Sequence, residues 1–326
     1  MNNYNAYNYY PYNPYLVKEA EYKALRAHSK RVGICLMLYV ILQQVFLFVL
    51  AFFGLYGDFL NNPSFQYSAN VLFFSFACMF VPFFFASRKQ GFLGYWQVLP
   101  FNPPERKGKA VLLVLTFFAV CISANYVASF VETVLSGIGL EEYEPQINES
   151  TSPVDVALNF LCAAVSAPLI EEFVFRGVIM QPLRRYGEHF AVFASALLFG
   201  FAHSSPTGFV FAFISGVAIG YAVILSKSLW VGIAIHFCNN FYSVLISELY
   251  TAYPELNSAV VLALIGIIIA IGFVSFIVLI AKKEIKFEKS GSLLKTRAKI
   301  KGFFLSVPMV LALAAFVYYI FQSINS

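Results

Sequence analysis

"APLIEEFVFRG", residues 167–177, lies between apolar runs yet holds Glu171, Glu172 and Arg176. A charge at the centre of a bilayer costs roughly 3 kcal/mol or more unless it is paired or hydrated. Whether this stretch lies in a membrane, and what its three ionisable groups do there, decides the fold and the function together.

The surrounding chain answers the first question. Of 326 residues, 60% are hydrophobic and only 12% charged, with 37 Phe and 20 Tyr. A soluble domain carries about a quarter charged residues, so this chain has too little polar surface to coat a water-soluble body. The expected class is all-α, a polytopic transmembrane helical bundle. A span needs about 20 apolar residues. About nine hydrophobic spans are expected, near 32–56, 67–87, 110–135, 155–181, 190–204, 207–226, 229–248, 257–281 and 303–322. The fifth is short, and Pro168 is expected to kink or break the fourth.

Basic residues set the direction. They precede the first span (Lys18 to Arg31) and follow the second, fourth, sixth and eighth (Arg88 to Lys109, Arg184 and Arg185, Lys227, Lys282 to Lys301). With nine spans, all but one of the 22 Lys and Arg fall on one side, which is then cytoplasmic, as is the N-terminus. The exception is Arg176. An acidic loop, Glu141 to Glu149, falls on the other side and includes a chance glycosylation sequon at Asn148–Ser150.

The expected organisation is a Tyr/Asn-rich disordered tail (1–31), N-terminal spans (32–135), a polar-bearing core (155–250) and C-terminal spans (257–322). A basic loop, 282–301, separates the last two spans and is suited to lying on anionic lipid. The start of the chain lacks the basic and apolar regions of a signal peptide. Five cysteines lie in apolar runs with no CxxC spacing, so neither a disulfide framework nor a cysteine metal site is expected. The lipid bilayer is an expected partner and nucleic acid is not.

Ionisable groups within the spans cluster in the core. Glu172 and Arg176 are four apart on a helix and can pair, while Glu171 is turned by about 100° and left for another task. Phe199 and His203 share a face, which puts an aromatic below the imidazole, and His236 shares a face with Asn240. Glu171 lies 13 residues before Arg184, His203 13 after Phe190, and Asn240 13 after Lys227. Each offset is about 20 Å of helix. Three segments thus bring polar groups to a similar depth, as one shared site requires.

A carboxylate, two imidazoles and an amide around water form a hydrolytic set. Glu171 can act as general base toward water, with His203 holding that water. His236 and Asn240 can donate to a developing oxyanion. Glu171, His203 and His236 can equally ligate Zn²⁺, leaving a position for water. Neither HExxH nor GxSxG accompanies these residues.

The sequence at these positions resembles the CPBP (Abi) intramembrane proteases, which include the type II CAAX prenyl endopeptidases. The family pattern EExxxR, FxxxH and HxxxN reads here "EEFVFR" (171–176), "FGFAH" (199–203) and "HFCNN" (236–240), in order and without departure. The resemblance covers roughly 155–245. It implies a helical membrane fold with a hydrated cavity open to the cytoplasm, Glu171 as the base helped by His203, Glu172–Arg176 as a structural pair, and His236 and Asn240 as stabilisers of the tetrahedral intermediate. Both metal-dependent and metal-free mechanisms are argued for relatives. The expected function is an intramembrane endopeptidase acting on a membrane-associated peptide or protein, in a bacterial plasma membrane. The alternatives are a non-catalytic scaffold or immunity protein of the same fold and a proton-coupled transporter.

Overall fold

A computed structural model describes residues 13–88, 101–142 and 152–324. The expectations for residues 1–12, for Lys89 and the rest of 89–100, and for the acidic loop beyond Glu142 with its sequon fall outside these residues. The described chain forms eleven helices and no strand. They are α1 (Pro14–Phe52), α2 (Tyr56–Asn61), α3 (Pro63–Ser87), α4 (Lys107–Gly137), α5 (Pro153–Tyr186), α6 (Glu188–Ala202), α7 (Pro206–Ser226), α8 (Leu229–Ala252), α9 (Ser258–Ala281), α10 (Thr296–Phe304) and α11 (Val307–Ile324). Eight of them are long and apolar enough to cross a membrane.

Three sequence expectations need correction, and the fifth expected span is as short as its sequence suggested. The fifth of the nine expected spans is α6, whose 15 residues make about 22 Å, short of the roughly 30 Å hydrocarbon core. The chain turns back after it through Ser204 at φ 55 and climbs into α7. The tail was expected to be disordered to residue 31, but α1 already begins at Pro14. Asn13 caps it by accepting the Tyr15 N–H, and Pro14 brings a φ already suited to a first turn. Leu25, His28 and Ser29 are buried, so this early half of α1 packs rather than floats.

The last expected span is divided. Its start belongs to α10, and α11 follows only at Val307, because Pro308 cannot continue a helix from behind. The break is pinned by a 2.7 Å bond between Ser29 and Ser306. Finally, Pro168 does not break the fourth span, for a reason that belongs to the site.

Residues 282–295 form a strap across the basic ends of several helices. Glu284 pairs with Arg106 at 2.5 Å, the Glu288 N–H meets Glu188 at 2.8 Å, and Ser292 and Leu293 both donate to Glu21 at 3.0 Å. The basic loop is therefore docked on the protein, not simply spread on a surface.

Candidate active site

The site begins with how α5 survives Pro168. Proline lacks an N–H and its ring crowds the carbonyl four residues back. Residues Phe160–Ser166 answer with a π-helical run, in which bonds reach five residues back and the turn is wider. The Ala167 N–H meets the Cys162 carbonyl in that register. The next bond would run from residue 168 to Ala163, and proline cannot make it. The Asn240 amide on α8 takes its place, donating to the Ala163 carbonyl at 2.8 Å. Asn239, buried beside it, donates to the Asn240 side-chain oxygen at 3.1 Å. A second π run, Glu172–Ile179, follows.

At the junction of the two runs the adjacent glutamates part company. Glu172 and Arg176 are wholly buried and pair at 2.7 Å. The same Glu172 oxygen accepts from His236 Nδ1 at 2.9 Å. Arg176 reaches the Gly216 carbonyl at 3.4 Å and lies 4.4 Å over the Phe199 ring. A buried charge left alone would be costly. Here each is held from several sides, and α5, α7 and α8 are fastened by the same contacts.

Phe199 also carries the imidazoles. His203 packs edge-on to it at 4.7 Å and His236 at 5.8 Å. His203 caps the end of α6, where its Nδ1 lies 2.8 Å from the Phe199 carbonyl. A carbonyl only accepts, so Nδ1 carries the proton and Nε2 keeps a lone pair. The hairpin of α6 and α7 is set by small residues. An added Cβ on Gly216 would stand 3.1 Å from Ala196, and one on Gly220 3.1 Å from Val192. The turn is anchored by Glu142, which accepts from the Thr207 N–H at 3.2 Å and its hydroxyl at 2.8 Å.

Glu171 is left facing a cavity of about 70 Å³ that it shares with His203, His236, Asn239 and Asn240. Its Oε2 is buried without a hydrogen-bond partner and lies 3.8 Å from His236 Nε2. The cavity has a mixed polar and apolar lining, is large enough for one or two waters, and is too small for a peptide. The geometry thus draws all six expected residues together: Glu171, Glu172, Arg176, His203, His236 and Asn240.

Several contributors escaped the sequence. Cys121 and Ser215 also line the cavity. Gly232 is needed because a Cβ there would meet Val223 at 2.6 Å and Glu172 at 3.1 Å. The GxxxG spacing of Gly216 and Gly220 was the available signal for the α6–α7 approach.

A metal ion fits this donor set poorly. Ligands must converge at about 2.1 Å on one point. Among the described residues no three His, Cys, Asp or Glu side chains are grouped to hold one. The expected Zn²⁺ set of Glu171, His203 and His236 has no such cluster to rest on.

Residues 153–242 match the model of a family described as type II CAAX prenyl endopeptidase Rce1-like. The match supports CPBP (Abi) membership for this segment, about a quarter of the chain. The match runs from the start of α5 into α8 and contains all six residues. Neither a curated protein nor a solved structure matches the chain. With eight apolar helices of membrane-spanning length among the described residues, the chain has the make-up of an integral membrane protein.

Proposed function

We propose that the protein is an intramembrane endopeptidase that uses Glu171 to activate water against a peptide bond. The CPBP segment supports a function of the CAAX-protease kind on membrane-associated substrates. The observation that carries the finer reading is the buried, unpartnered Glu171 oxygen, 3.8 Å from His236 Nε2 and facing a water-sized cavity.

Glu171 takes one proton from a water in the cavity. The His203 Nε2 lone pair accepts the other O–H and aims the oxygen. The oxygen attacks the scissile carbonyl carbon, and the π pair moves to the carbonyl oxygen. His236, held by Glu172 through Nδ1, presents its ring edge to that oxyanion. The second Asn240 amide N–H adds to it. As the C–N bond breaks, Glu171 returns its proton to the leaving nitrogen, giving a carboxylic acid and an amine. Glu172 and Arg176 position His236 and do not touch the substrate. Because the cavity is smaller than a peptide, substrate enters by parting helices at the site. The basic helix ends face the cytoplasm of a bacterial plasma membrane, from which the site opens.

The test is cleavage of a peptide library by the full chain in proteoliposomes, read by mass spectrometry. Glu171→Gln should lose about 10²- to 10⁴-fold in turnover with its melting temperature unchanged, His203→Ala should lose as much activity, and chelator should change nothing. Wild-type turnover by Glu171→Gln would overturn the mechanism.

A further inference from the structure

A second site lies at the basic end, and the proposed protease chemistry has no part in it. The strap, α6 and α10 border two adjoining open chambers. One, of about 690 Å³, is walled mainly by apolar groups, among them Phe190, Phe193 and Leu197 of α6 and Ile300 and Phe304 of α10. The other, of about 380 Å³, is more evenly mixed and bears Arg184, Arg185 and Lys289. Glu188, Glu288, Lys289 and Ser290 line both, so the chambers meet.

The charges do not cancel. Arg184, Arg185, Lys289 and Lys299 stand against Glu188 and Glu288. Glu188 is already engaged, pairing with Arg184 at 2.8 Å and accepting the Glu288 N–H at 2.8 Å. Arg185 lies over the Tyr186 ring, and Lys299 donates to the Tyr186 carbonyl, a neutral acceptor. The Nε of Arg184 is buried with no acceptor. A ligand with an anionic oxygen head meets this surplus.

The apolar chamber sets the rest of the ligand. From Gly187 to Leu197 the wall runs about 15 Å along the helix, starting beside the cationic chamber and ending among lipid-class side chains such as Phe193, which is 49% exposed. An anion with a long hydrocarbon tail fills both chambers, and a free anion fills one. Their volumes lie in the range of small-molecule sites. We propose that this crevice holds one anionic phospholipid, its phosphate at Arg184, Arg185 and Lys289 and one acyl chain along α6.

Seated there, the lipid bridges the strap to the start of α6, the helix that ends at His203. The test is native mass spectrometry of the full chain released from neutral phosphatidylcholine nanodiscs and titrated with phosphatidylglycerol. One phosphatidylglycerol should bind at least about ten-fold more tightly than added phosphatidylcholine. Lys289→Glu, which turns one attraction into a repulsion, should weaken it about ten-fold, and Leu197→Trp should weaken it by filling the apolar wall. Lys227→Glu makes the same charge change on the same face, at the turn between α7 and α8, and should leave binding unchanged. The inference is overturned if phosphatidylcholine binds equally, if Lys227→Glu weakens binding as much as Lys289→Glu, or if glycerol phosphate alone binds as tightly as the lipid. Circular dichroism melting of each variant confirms that it remains folded.

Discussion

Asn240→Ala should destabilise this protein by about 1–2 kcal/mol, and Pro168→Ala should remove most of that penalty. One carbonyl, that of Ala163, sets the effect. In the π run of α5 the Ala167 N–H bonds Cys162, so Ala163 awaits a donor from residue 168 that proline lacks. The Asn240 amide supplies it at 2.8 Å. Leaving a buried acceptor without a donor costs about 1–3 kcal/mol, the lower part applying to this part-buried carbonyl, while side-chain hydrogen bonds between membrane helices average about 0.6 and reach about 1.7. The range of 1–2 follows from the overlap. In a Pro168→Ala background the backbone N–H returns and the Asn240 bond becomes redundant. The double-mutant cycle should therefore give a coupling of about 1 kcal/mol. Asn240→Ala also removes the acceptor of Asn239, but that loss occurs in both backgrounds and cancels in the cycle. The measurement is equilibrium unfolding of the four proteins in mixed micelles, followed by circular dichroism. Equal losses from Asn240→Ala in the two backgrounds would refute the reasoning.

Two further outcomes follow from the buried pair and its neighbours. Arg176→Met removes the main countercharge of a wholly buried Glu172 and should cost about 3–5 kcal/mol; adding Glu172→Gln should recover a large part of it in the same unfolding assay. Gly232→Ala places a Cβ 2.6 Å from Val223 and 3.1 Å from Glu172 and should cost about 1–3 kcal/mol by overpacking. Val223→Ala in the same chain should restore part of the loss, as read from the melting temperature.

The helices that position the site were legible because membrane burial writes itself into composition and length. The polar groups were legible for the opposite reason: Glu171, Glu172 and Arg176 stand out against an apolar background, and their spacing foretells the pair that forms. What stayed hidden depends on geometry between segments. Pro168 reads as a break, and only the π register with the Asn240 bond shows how α5 continues. Asn239 reads as a neighbour of Asn240, yet it is buried and lines the cavity. The short fifth span drew attention by its length, but only the turn at Ser204 and the Glu142 anchor show it to be one arm of a hairpin. The strap reads as a run of lysines, because nothing local reveals that Glu21, Glu188 and Arg106 will meet it.

The same contacts explain why two adjacent glutamates differ. One residue along a helix turns a side chain by about 100°, enough to put Glu172 against Arg176 and His236 and Glu171 against the cavity. Glu172 can be fully buried because two donors share one of its oxygens and Arg176 is supported by Gly216 and Phe199. That arrangement uses His236 Nδ1 and leaves Nε2 turned to Glu171. His203 is arranged alike, with Nδ1 on the Phe199 carbonyl and Nε2 unengaged by it. In both imidazoles the nitrogen nearer the backbone is tied to the fold, and the outer nitrogen remains for whatever occupies the cavity. A cluster serving only to glue helices would have no reason to leave Glu171 without a hydrogen-bond partner beside the His236 Nε2 in a cavity that His203 also lines. This division of bound and free atoms, more than the presence of charge itself, favours hydrolysis.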